Sequence, residues 1–186
     1  MLPIILDTAE LTIAIVGSGP QARRRLKMVD AAGARFVRVF AENVEADMRD
    51  LAGDRLVENW PSEQDLAACH IVYMANIDAA LQESLTALAR TNKTLVNVED
   101  VKPLCDFHVP AIVRRGDLLL TVSTNGKSPG LARRLKANLE AQYSEAWAER
   151  LDVLAQSRDR WRDEGAEFAE LIDRTNALID EQEWLS

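Results

Sequence analysis

The segment IVGSGPQA places two glycines and an alanine at a spacing that can bind a dinucleotide. The residues are Gly17, Gly19 and Ala22, and they lie between an apolar run and a stretch with helical spacing. Gly17 permits a tight turn, Gly19 lets the backbone approach a pyrophosphate, and Ala22 lets the helix pack against the strand. The N–H groups at the start of the helix can then bind the anion. We therefore predict a dinucleotide site; the alternative is a glycine turn that serves packing alone.

An acidic residue stands where the same motif would need one. Glu42 follows the next apolar run, roughly 20 residues beyond the glycine turn, where a carboxylate can accept hydrogen bonds from ribose hydroxyls. An acid at this place disfavours the 2′-phosphate of NADP. The expected cofactor is therefore NAD.

A second chemical segment is LVNVEDVKPLCDFHVPA, residues 95–111, which contains Asp100, Cys105, Asp106 and His108. Asp100 follows an apolar run that reads as a strand, and ligands of open parallel sheets bind outside the carboxyl ends of the strands. A carboxylate there can act as a general base, or it can simply cap a loop. The other three residues lack a second Cys or His pair at zinc spacing, so we predict no metal site. His108 is as well explained by loop packing.

Strands and helices alternate around these residues. The alternation predicts a parallel sheet built from βαβ units, and the Pro20 and Gly33 positions suit the start and the end of the first helix. The predicted strands are 11–16, 35–40, a weaker one at 55–58, 70–75, 94–98 and 117–123, with helices after the glycine turn and over 78–90.

From Ser128 onward the pattern is helical. Ser128 is a plausible N-cap and Pro129 suits the first helical position. Two apolar stripes follow, which we interpret as core or dimer contacts rather than ligand contacts. Their residues are Trp147, Leu151, Leu154 and Trp161, then Phe168, Leu171, Ile172 and Ile179.

Composition excludes several classes of protein. The 186 residues carry a formal net charge of -8, which argues against a general nucleic-acid binder, and no apolar run approaches the roughly 20 residues of a membrane span. The start MLPIILD has no basic region typical of a secretory signal, and two cysteines form no disulfide framework. We expect a cytoplasmic protein.

Basic residues are nevertheless clustered at 22–27, 114–117 and 132–136, where they can receive an anionic small molecule or form solvated helix faces. The loop STNGKSPGLAR is explained by turn chemistry alone. Alternatively, it holds substrate carboxylates. The candidate substrate-binding residues are Arg114, Asn125, Gly126, Lys127 and Arg133.

Five motifs in order, LPIILD, IVGSGPQARRR, AGA, LVNVED…LCDFHVPAIVRRGDL and VSTNGKSPGLARRLKANLE, resemble the siroheme synthase N-terminal family over residues 2 to about 140. The resemblance implies an α/β chain with an NAD-binding Rossmann domain at 1–112, a dimerisation segment at 113–147 and a small all-helical module at 148–186. It also implies a homodimer that oxidises precorrin-2 to sirohydrochlorin with NAD. Insertion of Fe²⁺ into sirohydrochlorin is a further activity of some members.

Residue by residue, the family's catalytic aspartate in its NVVD motif falls on Asp100, and its cofactor contacts fall on Pro20, Gln21, Ala41 and Glu42. Ser18 replaces the usual middle glycine, which a contact through the backbone alone tolerates. Glu99 replaces a valine and adds a carboxylate beside Asp100, although strand alternation would put the two on opposite faces. The family's Thr-Asp/Asn and Leu-Asn around 75–82 appear as ANIDAALQ.

Two other functions are alternatives, and the departures at Ser18, Glu99 and residues 75–82 motivate the first of them. One is a tetrapyrrole- or dinucleotide-binding carrier or regulatory protein without catalysis. The other is an unrelated Rossmann enzyme with a small substrate, which leaves the NGKSPGLAR and CDFHVPA matches unexplained.

Overall fold

The computed structural model describes residues 1–185. The chain divides into two compact units, the first being Met1–His108 and the second starting at Val109. The three-part division at 1–112, 113–147 and 148–186 stays a prediction.

The first unit is built on a five-stranded parallel sheet with the strand order β3-β2-β1-β4-β5. The register pairs Val16 with Phe40 and Met74, and Met74 with Val98, so four strands end at the same level. The chain segments that follow these strands therefore meet along one edge of the sheet. The strands are β1 (Thr12–Val16), β2 (Phe36–Phe40), β3 (Leu56–Val57), β4 (Ile71–Met74) and β5 (Leu95–Val98).

Four helices connect the strands, and their ends follow from local sequence. In the third of them Ser62 forms a capping box with Asp65, and in the fourth the Asp78 carboxylate accepts a hydrogen bond from the Leu81 N–H. Pro20 begins the first helix as predicted. The helices are α1 (Pro20–Ala31), α2 (Ala46–Ala52), α3 (Glu63–Ala67) and α4 (Ala79–Thr91).

The core of this unit lies at the central strands. β1 and β4 are almost wholly buried, as their continuous apolar runs in a parallel sheet predict. The largest fully buried side chains include Phe40, Leu26 and Met48. This rigid centre positions the segments at the carboxyl edge of the sheet.

The second unit contains an antiparallel pair of strands and three helices. Ser128 caps the first helix by accepting the Leu131 N–H, as predicted. Of the predicted apolar stripes, Trp147, Trp161 and Leu171 are buried, whereas Phe168 is exposed. The elements are β6 (Ala111–Arg115), β7 (Leu118–Val122), α5 (Pro129–Gln142), α6 (Trp147–Asp163) and α7 (Phe168–Glu181).

The α/β class and the Rossmann-type parallel sheet are confirmed, including the weak strand at Leu56–Val57. β6 was not predicted, and β7 pairs with it rather than extending the parallel sheet. Among residues 1–185, no helix is long and apolar enough to cross a membrane.

Candidate dinucleotide and catalytic site

The glycine turn lies at the carboxyl end of β1, in the middle of the sheet. Gly17 has φ of +119°, and its N–H donates to the Phe40 carbonyl at 2.8 Å. A Cβ at Gly17 would stand 1.8 Å from the Ala75 carbonyl oxygen. No side chain fits there, so the turn must be glycine, and the backbone of β1, β2 and β4 meets closely at this point.

Asn76 caps the helix that follows the turn. Its Oδ1 accepts the N–H groups of Gln21 at 3.0 Å and Ala22 at 3.2 Å, and its Nδ2 donates to the Gln21 Oε1 at 2.6 Å. A Cβ at Gly19 would lie 2.5 Å from Asn76 Cγ. Gly19 is therefore required for the close approach of Asn76, which the sequence did not reveal as a site residue.

Two backbone amides of the turn remain available to an anion. Pro20 has no N–H, and Asn76 occupies the N–H groups of Gln21 and Ala22. The N–H groups of Ser18 and Gly19 meet no acceptor among residues 1–185. The turn thus fits the pyrophosphate of a dinucleotide, since two amides without an acceptor precede the positive end of α1.

The region after β2 is acidic and adjoins the turn. Ala41 is buried and Glu42 is exposed, directly after the strand whose Phe40 carbonyl binds Gly17. The Ser18 hydroxyl accepts the Glu45 N–H at 2.8 Å, so Ser18 ties this loop to the turn. The Ser18 side chain therefore has a structural role, while the contact of its backbone with a cofactor stays a prediction.

Asp100 stands in a turn beyond β5 and is exposed. The turn is closed by the Val101 N–H, which donates to the Val98 carbonyl at 3.3 Å, and Asp100 has φ of +61°. Because β5 ends at Val98, strand alternation does not govern Glu99 and Asp100, which corrects the expectation based on it. A non-glycine residue held in the left-handed region costs energy and is found preferentially at functional sites.

Glu99 is directed to the middle of α1. Its carboxylate pairs with the guanidinium groups of Arg25 and, at 3.5 Å, Arg24. Arg23 pairs in turn with Glu45 and, at 3.6 Å, Asp47. Much of the basic cluster at 22–27 thus forms ion pairs within the protein.

Cys105 and Asp106 brace β5. The Cys105 thiol contacts the backbone N–H of Val98 at 3.3 Å and its carbonyl at 3.1 Å, and burial raises the pKa of this thiol. Asp106 accepts the Val96 N–H at 2.9 Å and pairs with Arg90 at 2.8 Å.

His108 is exposed at the end of the first unit. Within residues 1–185, no three His, Cys, Asp or Glu side chains form a metal-binding group.

The candidate substrate residues all lie in the second unit. Arg114 is exposed on β6 and Arg133 on α5. Asn125, Gly126 and Lys127 form an exposed turn after β7, in which the Lys127 N–H donates to the Thr124 carbonyl at 3.0 Å. The structure thus groups the cofactor residues and Asp100 in one unit and the candidate carboxylate-binding residues in the other.

Comparisons with known proteins agree with this geometry. Residues 4–111 match a family described as "Putative NAD(P)-binding", and residues 115–142 match the family "Sirohaem biosynthesis protein central". The siroheme synthase of Nitrosococcus oceani is 33% identical over 162 residues, which cover 86% of this chain and 34% of that protein. That of Pseudomonas entomophila is 37% identical over 150 residues, covering 78% of this chain and 32% of that protein.

A solved structure is similar over the whole chain. SirC, described as a precorrin-2 dehydrogenase, superposes with a TM-score of 0.78 at 27% sequence identity, covering 100% of this chain and 93% of its own. In contrast, this chain spans about a third of the length of the curated siroheme synthases. Both the matched family and the geometry of the glycine turn therefore indicate an NAD(P)-binding domain.

Proposed function

The chain belongs to the siroheme synthase N-terminal family, and on this premise we propose that it oxidises precorrin-2 to sirohydrochlorin with NAD⁺ as hydride acceptor. One observation carries the proposal. The anion-binding amides of Ser18 and Gly19 and the carboxylate of Asp100 follow strands β1 and β5 at the same edge of the sheet. Only β4 separates these strands, so the strand axes lie about 10 Å apart, within the span of a dinucleotide.

Each residue of the first unit has a defined part in the proposal. The amides of Ser18 and Gly19 bind the pyrophosphate, Gly17 and Ala22 permit the close packing of turn and helix, and Pro20 begins the helix without an unpaired donor. Gln21, held by Asn76, presents its side-chain amide beside the same anion. Ala41 and Glu42 adjoin the adenine ribose.

Asp100 acts as the general base. Precorrin-2 loses one hydride and one proton when it becomes sirohydrochlorin, and bound NAD⁺ supplies the acceptor for the hydride. The Asp100 carboxylate accepts the proton from the tetrapyrrole carbon, which becomes acidic as the hydride departs. Asp100 is suited to this role because it is exposed and lies beyond a strand end, where a substrate can reach it.

We propose NAD rather than NADP because of Glu42. This residue is exposed after β2, and its carboxylate can accept hydrogen bonds from ribose hydroxyls but repels a 2′-phosphate. Replacing Glu42 with Arg should lower kcat/KM for NAD⁺ and raise it for NADP⁺, measured as NADH or NADPH formation. An unchanged ratio of the two would refute the assignment.

The substrate-binding residues proposed in the second unit match the chemistry of the substrate. Precorrin-2 carries acetate and propionate groups, which the cations of Arg114, Lys127 and Arg133 and the backbone amides at Asn125 and Gly126 can bind. Charge-reversing changes such as Lys127→Glu should raise KM for precorrin-2 and leave KM for NAD⁺ unchanged.

We further propose a cytoplasmic homodimer. α5 buries none of its residues within the chain, and Leu131 and Leu135 are 49% and 39% exposed on it. An apolar helix face of this kind requires a partner. Sedimentation of the unmutated protein at twice the monomer mass, and of Leu135→Asp as a monomer, would support the dimer; an unmutated monomer would refute it.

Insertion of Fe²⁺, here a substrate, is a separate hypothesis. If the chain has this activity, Asp100 would accept the pyrrole protons that the metal displaces, because it is the proposed base of the oxidation. Purified protein that fails to insert Fe²⁺ or Co²⁺ into sirohydrochlorin faster than the spontaneous reaction would exclude it.

The decisive experiment incubates the protein with precorrin-2, prepared without oxygen, and NAD⁺. NADH formation and the sirohydrochlorin spectrum are followed for the unmutated protein and for Asp100→Ala. We expect turnover that falls at least about 100-fold in the variant while NAD⁺ affinity is retained. Binding of NAD⁺ without turnover by the unmutated protein would favour a non-catalytic carrier, and binding of NAD⁺ without tetrapyrrole affinity would indicate an enzyme with another substrate.

A further inference from the structure

We propose that Arg25 and Glu99 form a positioning pair that anchors the turn of Asp100 to the helix beginning at the glycine turn. The inference rests on the proposed function of Asp100 as base. It concerns a residue, Glu99, that replaces the valine of the family motif cited above.

The contacts of Glu99 join two elements of the site. Its Oε2 accepts a hydrogen bond from Arg25 Nη2, and its Oε1 lies 3.5 Å from Arg24 Nη2. The side chains of Arg25 and Glu99 are each only 19% exposed, whereas that of Arg24 is 71% exposed. Solvent screens the Arg25 pair less than an open surface pair, so this contact dominates.

The Arg25 side chain is held in place from a second direction. Its guanidinium carbon lies 5.8 Å from the centre of the Tyr73 ring, and Tyr73 meets Phe107 edge to face with ring centres 5.4 Å apart. Arg25 is thus fixed by the aromatic pair beneath it and the carboxylate beyond it. The Glu99 carboxylate therefore meets a preorganised partner.

The turn itself needs such an anchor. Asp100 adopts a left-handed conformation, which persists only where surrounding contacts determine it. On one side Cys105 braces Val98, and the Glu99 N–H donates to the Met74 carbonyl at 2.9 Å. The Glu99 side chain supplies the remaining tie, directly before Asp100.

The pair also keeps charge balanced beside the base. The cations of Arg24 and Arg25 from α1 pair with Glu99. Tyr73 of β4 lies against Arg25, and Cys105 of the loop after β5 also feels the charge of Arg25. Burial raises the pKa of both Tyr73 and Cys105, so these two stay neutral at neutral pH. Removing Arg25 leaves Glu99, the residue before Asp100, with only the more exposed Arg24 as a counter-charge, and removing Glu99 leaves the Arg25 charge without its carboxylate.

Because the two charges are opposite, removing Arg25 and removing Glu99 should shift the pH dependence of kcat/KM in opposite directions. In Arg25→Met, Glu99 keeps only its contact with Arg24 at 3.5 Å, and its less compensated charge should move the acid limb of kcat/KM upward. In Glu99→Gln the unpaired Arg25 should move the acid limb downward. The double variant Arg25→Met/Glu99→Gln should return it to its original place. In each single variant kcat should fall about 10-fold with KM for NAD⁺ changed by less than about 2-fold.

The matched control is Arg55→Met, which removes a half-buried pair with Asp30 near the far end of the same helix. It should lose stability without moving the acid limb. Glu99→Val, which restores the family residue, should behave like Glu99→Gln. Shifts in the same direction for both single variants, no shift in either, or an equal loss of kcat in the control would overturn the positioning role.

A second readout separates this proposal from the proposed function. The Asp100 carboxyl carbon is titrated by NMR in the free protein, the two single variants and the double variant. If the unmutated protein does not turn over precorrin-2, the proposed function fails. Opposite shifts of the Asp100 titration midpoint in the two single variants would still support the pairing of Arg25 with Glu99. The same midpoint in all four proteins would overturn the proposal that Arg25 and Glu99 form a positioning pair.

Discussion

Gly19 is predicted to be coupled to Asn76 through space. In Gly19→Ala the new Cβ would lie 2.5 Å from Asn76 Cγ, 2.6 Å from Oδ1 and 2.9 Å from Cβ. The backbone of Gly19 has φ of -72°, so the substitution causes no backbone strain of its own. The whole cost must come from displacing Asn76.

The size of that cost follows from the hydrogen bonds that Asn76 makes. Because Asn76 Cβ is also too close, the whole residue must shift, and this breaks the two bonds from Gln21 and Ala22 and the bond to the Gln21 side chain. At about 0.5–1.5 kcal/mol net for each, and with water replacing some of them, we expect a loss of about 2 kcal/mol in the free energy of unfolding. Asn76→Gly removes the same bonds but relieves the left-handed conformation of Asn76, and should cost about 1 kcal/mol.

The two changes should therefore not add. Gly19→Ala/Asn76→Gly lacks the clashing side chain and should cost about as much as Asn76→Gly alone, rather than the sum of about 3 kcal/mol. The assay is urea unfolding followed by tryptophan fluorescence, with NAD⁺ affinity measured by calorimetry. Gly19→Ala should also weaken NAD⁺ binding at least about 10-fold, because the displaced Asn76 crowds the amides of the turn.

The control is a glycine of the same unit with open space around it. Gly33 has φ of +77° and nothing within 4 Å of its would-be Cβ, so Gly33→Ala costs only backbone strain. Its effect should add to that of Asn76→Gly within about 0.5 kcal/mol. If the losses in the free energy of unfolding of Gly19→Ala and Asn76→Gly also add within about 0.5 kcal/mol, the coupling is refuted.

Two further predictions concern ionisation. Hydrogen bonds from Ser62 lower the pKa of Asp65, so its carboxylate stabilises the fold above the ordinary aspartate pKa and this contribution disappears as the pH falls through the lowered value. Asp65→Asn should therefore unfold at lower urea than the unmutated protein at pH 7, with the difference shrinking towards pH 2; a constant difference would contradict this. Burial raises the pKa of the Cys105 thiol, so iodoacetamide at pH 8 should modify it at least about 10-fold more slowly in the folded protein than in urea, as followed by peptide mass spectrometry. Equal rates would contradict the buried thiol.

The parallel sheet and the glycine turn were predictable because both rest on local pattern. The run LTIAIV, the glycines after it and the helical spacing beyond Pro20 are contiguous in sequence, and the structure forms β1, the turn and α1 from them. The capping role of Ser128 was predictable for the same reason, since the cap and its helix are adjacent.

What the sequence could not reveal are contacts between distant residues. Asn76 lies 55 residues from Gln21 and Arg25 lies 74 residues from Glu99, and no periodicity or turn signal links the members of either pair. The signals for Asn76 were its place directly after a predicted strand and within the segment 75–82 that departs from the family motif, and loops commonly contain such polar residues. β6 was missed because its AIVRR sequence ends in two arginines, which leave too short an apolar run.

The order of the strands explains why these distant residues meet. Because the chain returns from β2 and β3 to place β4 on the other side of β1, the segments after β1 and β4 are neighbours although about 60 residues apart in sequence. At such a switch point helices leave the sheet on opposite faces and a crevice opens between the connections. Asn76 partly closes this crevice by capping α1, which limits the backbone donors of the turn to Ser18 and Gly19. The turn therefore adjoins the segment after β4 on one side, through Asn76, and the loop after β2 on the other, through the hydrogen bond between Ser18 and Glu45. The sheet order and the cap of Asn76 together explain why the donors that the turn offers an anion come from the residues before the helix rather than from its first turn.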